Sequence, residues 1–150
     1  MRTTVEDILE FAIAGEQAAN KFYKDLAAQM DNNDMRQVFE EFAAQELSHK
    51  AKLERVKQEG MAVFDETKPV QDLKIADYVV DVEPGKQMSY WDAIIVAMKR
   101  EKAAFRMYTE LADLVTSAEC RELFRALAQE EANHKLRFEL EYDEHVMQEN

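Results

Sequence analysis

The sequence predicts an all-α protein, four helices in one bundle, made of two repeated helical hairpins joined by a long crossover. Three observations carry this expectation. Helix formers fill the chain, and only 3 glycines and 2 prolines punctuate its 150 residues. The chain repeats itself: displaced by 85 positions, Asp7 through Lys57 aligns with Asp92 through Tyr142 without a gap, and 15 of the 51 pairs are identical. Within each half the apolar residues recur at three and four, the period of an amphipathic helix, whereas strands would alternate.

Helices are expected near residues 4–30, 33–59, 89–115 and 117–146. Thr4 with Asp7 and Ser89 with Asp92 form capping-box-like openings of the first and third helices, at equivalent points of the repeat. Asp31, Asn32, Asn33 and Asp34 make the turn before the second helix, and Thr116 with Glu119 opens the fourth. Between the halves, Gly60 to Met88 holds both prolines, Pro69 and Pro84, with a short helix expected around Val70–Val80. This connector is long enough to cross the bundle, which lets the second and third helices run parallel. A single domain over 1–150 is expected, with hairpins at about 4–59 and 89–146, because either hairpin alone would leave its apolar stripe uncovered. A linker between two domains, or a dimer that exchanges hairpins, fits the same pattern.

Charge and cysteine content narrow the function. A formal charge of -12 disfavours nucleic acid and anionic membrane surfaces, both of which need basic clusters. Cys120 is the only cysteine, so an intrachain disulfide and a cysteine-ligated metal centre are excluded. The start of the chain turns acidic before any apolar run, and no stretch reaches the length of a membrane span. A cytoplasmic protein is expected.

Acidic residues interrupt all four apolar seams. In the first helix the stripe through Val5, Ile8 and Ala12 next falls on Glu16 before Ala19 and Tyr23; in the second, Val38, Phe39 and Phe42 lead to Glu46 and His49, then Leu53 and Val56. The third runs through Ala97, Met98, Glu101, Phe105, Tyr108 and Leu111, and the fourth through Phe124, Leu127, Glu131, His134 and Phe138. Four uncompensated carboxylates in an apolar interior would cost far more than a domain's net stability of about 5–15 kcal/mol, so they must be neutralised, solvated or bound to cations. Two divalent cations offset four negative charges. Glu-x-x-His sets a carboxylate and an imidazole a turn apart on one face, and hard oxygens with one nitrogen per metal suit iron or manganese. One Glu-x-x-His on an acidic helix arises by chance; two at the repeat spacing, each preceded by an inward Glu, point to a dinuclear site of Glu16, Glu46, His49, Glu101, Glu131 and His134.

Other residues carry two readings. The hydroxyls of Tyr23 and Tyr108, two turns beyond Glu16 and Glu101, are placed to hold a ligand carboxylate or simply pack in the core. Gln45 and Glu130 precede the motif glutamates and either bond to a ligand or sit exposed. His145 has no partner in the repeat and reads as a surface residue, and Met98 and Met107 as core filler.

The stretches Gly15 to Tyr23, Gln45 to His49, Glu101 to Tyr108 and Glu130 to His134 resemble the rubrerythrin-like branch of the ferritin-like di-iron superfamily, across both repeats. The resemblance implies a ferritin-like bundle in which Glu16 and Glu101 are terminal carboxylates, Glu46 and Glu131 bridge, and His49 and His134 each cap one iron. It implies two iron ions, with manganese or zinc as alternatives, and reduction of peroxide or oxidation of ferrous iron by oxygen or peroxide, in an oxidative-stress setting. Rubrerythrins proper have a further glutamate one turn after the third-helix ligand, where this chain has Ala104, and a rubredoxin domain, whose several thiolates the single Cys120 of these 150 residues does not supply. An external electron donor, such as a rubredoxin-type protein, is therefore expected, together with a homodimer. The six-ligand set resembles the ferroxidase centre of bacterioferritin, and a non-redox metal-binding bundle or a metal-free interaction bundle completes the alternatives.

Overall fold

The computed structural model describes residues 4–65, 78 and 89–149. Four helices follow in order: α1 (Val5–Ala28), α2 (Asn33–Glu59), α3 (Tyr90–Leu114) and α4 (Ala118–Glu149). The chain forms two compact units, Met1–Phe64 and Asp65–Asn150, in which α1 packs on α2 and α3 packs on α4. The helix expected around Val70–Val80 lies outside the described residues, apart from Tyr78. That side chain is buried, and its hydroxyl donates to the Glu110 carboxylate on α3.

The repeat extends to the helix caps. The Thr4 hydroxyl accepts from the Asp7 N–H at 3.0 Å while the Asp7 carboxylate accepts from the Thr4 N–H at 3.1 Å, a reciprocal box that satisfies two orphan donors of α1. At the equivalent point of the second half, the Ser89 hydroxyl accepts from the Asp92 N–H at 3.1 Å. Asn32 caps α2 through the N–H groups of Asp34 and Met35. Its counterpart 85 positions on is Ser117, whose hydroxyl accepts from the Cys120 N–H at 3.2 Å. The fourth helix is therefore opened by Ser117 and not by Thr116 as the sequence suggested. Both residues can cap, and the exact repeat decides between them.

The conserved spacing of the two turns has a further physical cause. Arg36 donates to the Met30 carbonyl and Arg121, 85 positions on, donates to the Val115 carbonyl at 3.4 Å. In each hairpin one guanidinium thus satisfies a carbonyl left open where the preceding helix ends. After α2, Gly60 takes the left-handed conformation (φ 61°), and the Met61 N–H returns to the Val56 carbonyl at 3.1 Å, a Schellman stop.

The cores of the hairpins match as well. Tyr23 stacks on Phe39 with ring centroids 6.3 Å apart and 13° between planes; Tyr108 stacks on Phe124 at 6.3 Å and 12°. Ile8, Leu26, Leu53 and Val56 fill the first unit, and Ile94, Leu111, Leu127 and Phe138 the second. Phe105 departs from expectation: it is 38% exposed. A count in steps of three and four from Glu101 to Tyr108 passes through either 104 or 105, and here the second option lies at the edge of the buried face. Among the described residues, no helix is long and apolar enough to cross a membrane.

Candidate metal centre

Each hairpin gathers its own carboxylates and histidine. In the first, Glu16 comes from the middle of α1 and Glu46 and His49 from α2; each offers one ligand atom within 4.8 Å of the others. In the second, Glu101 comes from α3 and Glu131 and His134 from α4, with the same mutual closeness. All six side chains are buried, none above 3% exposed. They sit where the helical period demands an apolar residue, so an amphipathic helix turns them inward by the same geometry that buries Phe39 or Leu127.

The His–carboxylate distances suit a ligand set. His49 Nδ1 lies 3.5 Å from Glu16 Oε2 and 3.8 Å from Glu46 Oε1, and His134 Nδ1 lies 3.6 Å from Glu101 Oε1. Good N–H···O bonds run to about 3.2 Å, so these contacts are too long for strong hydrogen bonds. Two donors that each sit about 2.1 Å from one ion at octahedral or tetrahedral angles are roughly 3.0–3.4 Å apart, close to what both hairpins show. The donor set, two carboxylates and one imidazole in each hairpin, fits a hard or borderline divalent cation and contains no thiolate.

The other sequence candidates separate. Tyr23 and Tyr108 are buried in the stacked pairs described above. Gln45 is exposed and Glu130 half-buried, as ordinary helix-face positions are. Met107 is buried and Met98 half-buried. His145 is no isolated surface residue: it stacks on Trp91 with centroids 3.7 Å apart. Asn20 escaped the sequence reading. It is buried one turn after Glu16, and its Nδ2 donates to the Ala43 carbonyl on α2 at 2.7 Å. The signal was a polar residue on the inward stripe, masked because Ala19 occupies the alternative step; its repeat counterpart is the exposed Phe105.

Comparison with known proteins now decides the family. The family model for rubrerythrin matches residues 7–142, which include all six buried acids and histidines. The chain belongs to the rubrerythrin family. Two solved structures are similar. A hypothetical protein from Pyrococcus furiosus shares 28% identity with a TM-score of 0.73, covering 93% of this chain and 89% of that one. A Thermotoga maritima protein, whose crystal structure is described as that of a ferritin-like diiron-carboxylate protein, shares 20% identity with a TM-score of 0.74, covering 96% of this chain and 97% of that one. No curated protein matches. This rubrerythrin-family chain thus has the all-α, four-helix, ferritin-like fold that its repeat predicts, and it carries buried carboxylate and histidine groups able to hold metal.

Proposed function

We propose that the two triads share one dinuclear iron centre, and that the protein is an oxidoreductase using peroxide or oxygen as the oxidant of the diferrous site. The single observation behind this is the duplicated ligand spacing: in each hairpin an imidazole Nδ1 stands 3.5–3.6 Å from the carboxylate of the preceding helix, inside a buried pocket. The six side chains would hold the ions, with Glu46 and Glu131 as bridges, Glu16 and Glu101 as terminal ligands and His49 and His134 as one cap each, the roles that the resemblance implies; manganese or zinc would fit the same donors. When bound, two ferrous ions supply the two electrons that reduce one peroxide to water. The chain's own part is to hold the donors at fixed spacing and keep bulk water out, with the hydroxyls of Tyr23 and Tyr108 holding ligand carboxylates in place. Re-reduction calls for an external one-electron donor of rubredoxin type.

The experiment is anaerobic loading with ferrous iron followed by substoichiometric hydrogen peroxide. Iron oxidation faster than that of free ferrous iron supports the reading, and oxidation at the free-iron rate rejects it. Ala104, which offers no ligand where rubrerythrins proper have a glutamate, favours a second reading, a ferroxidase that handles iron. Sustained oxidation of many ferrous ions per chain by oxygen would select it. A non-redox metal-binding bundle would retain metal and show neither activity.

A further inference from the structure

The second hairpin carries an aromatic stripe that the first lacks. On α4, His134, Phe138, Tyr142 and His145 follow at spacings of four, four and three, one continuous helix face. Trp91, near the start of α3, completes it, with its ring stacked on His145 at 3.7 Å and edge-on to Tyr142 at 6.3 Å. Tyr90 lies edge-on to Trp91 at 4.7 Å, and its hydroxyl donates to the Glu141 carboxylate at 3.4 Å. Burial first, then the charge and hydrogen bond of Glu141, push the Tyr90 phenol well above its usual range, so it keeps its proton. At the equivalent positions the first hairpin has His49, Leu53, Lys57 and Gly60, with Glu6 in place of Trp91. The repeat therefore breaks here in one direction: aromatic rings follow His134 along its helix face and none follows His49 at the matching positions.

The stripe runs along α4 from the buried His134 and Phe138 to the half-buried Tyr142 and His145. Tyr142 lies about 12 Å along α4 from His134, with the fully buried Phe138 halfway, and Trp91 about 15 Å along α3 from Glu101. Trp91, Tyr142, Tyr90 and His145 are all only half-buried, so the far end is within reach of reductants in solution. Tyr108, whose backbone is about 10 Å along α3 from Glu101 toward the opposite end, is another oxidisable ring, but it is wholly buried.

We propose that Trp91, packed at the outer end of this stripe, is an auxiliary one-electron reductant that completes peroxide reduction when the second hairpin's triad holds a ferrous ion and the other triad is empty. This rests on the functional reading above. Reduction of one peroxide to two waters takes two electrons and two protons. One electron would come from a bound ferrous ion, left ferric; the Trp91 indole gives the other together with its N–H proton, and the solvent gives the second proton. Trp91 is left as a neutral radical at the half-exposed end of the stripe, away from the ligands, where a small-molecule reductant restores it. Without this second electron, a lone ferrous ion would split peroxide and release hydroxyl radical beside the ligands.

The test uses the full chain loaded anaerobically with one or with two ferrous ions, one equivalent of peroxide, and peptide mass spectrometry, with metal-free protein and peroxide as the reference. At one ion per chain, oxidation products at Trp91 are expected several-fold above the reference, accompanied by loss of fluorescence from this sole tryptophan. At two ions per chain Trp91 is spared, because the second ion supplies the electron. Trp91→Phe should keep metal affinity, raise spin-trapped hydroxyl radical, and move modification to Tyr142 or Tyr108. Rapid iron oxidation with Trp91 no more modified than in the reference, or with damage confined to Tyr108, overturns the proposal while leaving the di-iron reading intact. Iron oxidation no faster than in free solution rejects both.

Discussion

Replacing Glu46 by glutamine should raise the melting temperature of the metal-free protein and abolish the gain that metal gives. One oxygen of Glu16 and one of Glu46 lie within 4.8 Å of each other in a pocket where both residues are nearly inaccessible. Two unit charges at that separation repel by about 3.5 kcal/mol at an effective dielectric constant of about 20. Neighbouring dipoles and counter-charges relieve part of this, so the figure is a ceiling. Glu46→Gln removes the repulsion while preserving shape, and at about 2–4 °C per kcal/mol for a chain of this size the ceiling is a rise of roughly 7–14 °C. In the wild type, metal binding reverses the sign: a ligand at 100 times its dissociation constant adds about 2.7 kcal/mol, or roughly 5–11 °C. Thermal unfolding followed by circular dichroism, with chelator and then with anaerobic ferrous iron, should show wild type gaining on iron addition while Glu46→Gln, already the higher in chelator, does not move. If Glu46→Gln melts lower than wild type in chelator and gains as much from iron, Glu46 is neither a buried charge nor a ligand.

Three other outcomes follow from named contacts. Asn20→Ala removes the amide that donates to the Ala43 carbonyl at 2.7 Å, and chemical denaturation should show a loss of about 1–3 kcal/mol. Phe39→Ala and Phe124→Ala each empty a fully buried ring site stacked on a tyrosine, and each should cost about 3–5 kcal/mol in the same assay. For Cys120, burial and then the charge of Glu119 push the thiol above its usual range. A group raised in the folded state stabilises fully below its unfolded pKa and loses that contribution as pH rises through the folded value, so folding should weaken on the alkaline side. The same shift predicts slow reaction of Cys120 with a disulfide reagent near pH 8 in native protein and fast reaction in denaturant.

How much of this was written in the sequence varies with the kind of signal. The helices were legible because caps and period agree: Thr4, Asn32 and Ser89 sit where the apolar stripes begin, and the observed ends fall within a few residues of those expected. The six acids and histidines were legible because they break a stripe at one repeat spacing, and the structure brings each hairpin's three together. Residues at the margin of the inward face were not. From Glu16 the next inward step is 19 or 20, and from Glu101 it is 104 or 105. Period alone cannot tell that Asn20 is buried while its counterpart Phe105 is 38% exposed. The stack of His145 on Trp91 was also hidden, since it joins residues 54 positions apart that the repeat does not relate.

Anomalous scattering from crystals grown with ferrous iron tests the central claim most directly. Two peaks are predicted, one beside His49 Nδ1 and one beside His134 Nδ1, about 3.5–4 Å apart with Glu46 and Glu131 between them. A single peak elsewhere, or none at either histidine in protein shown to be folded, would contradict it.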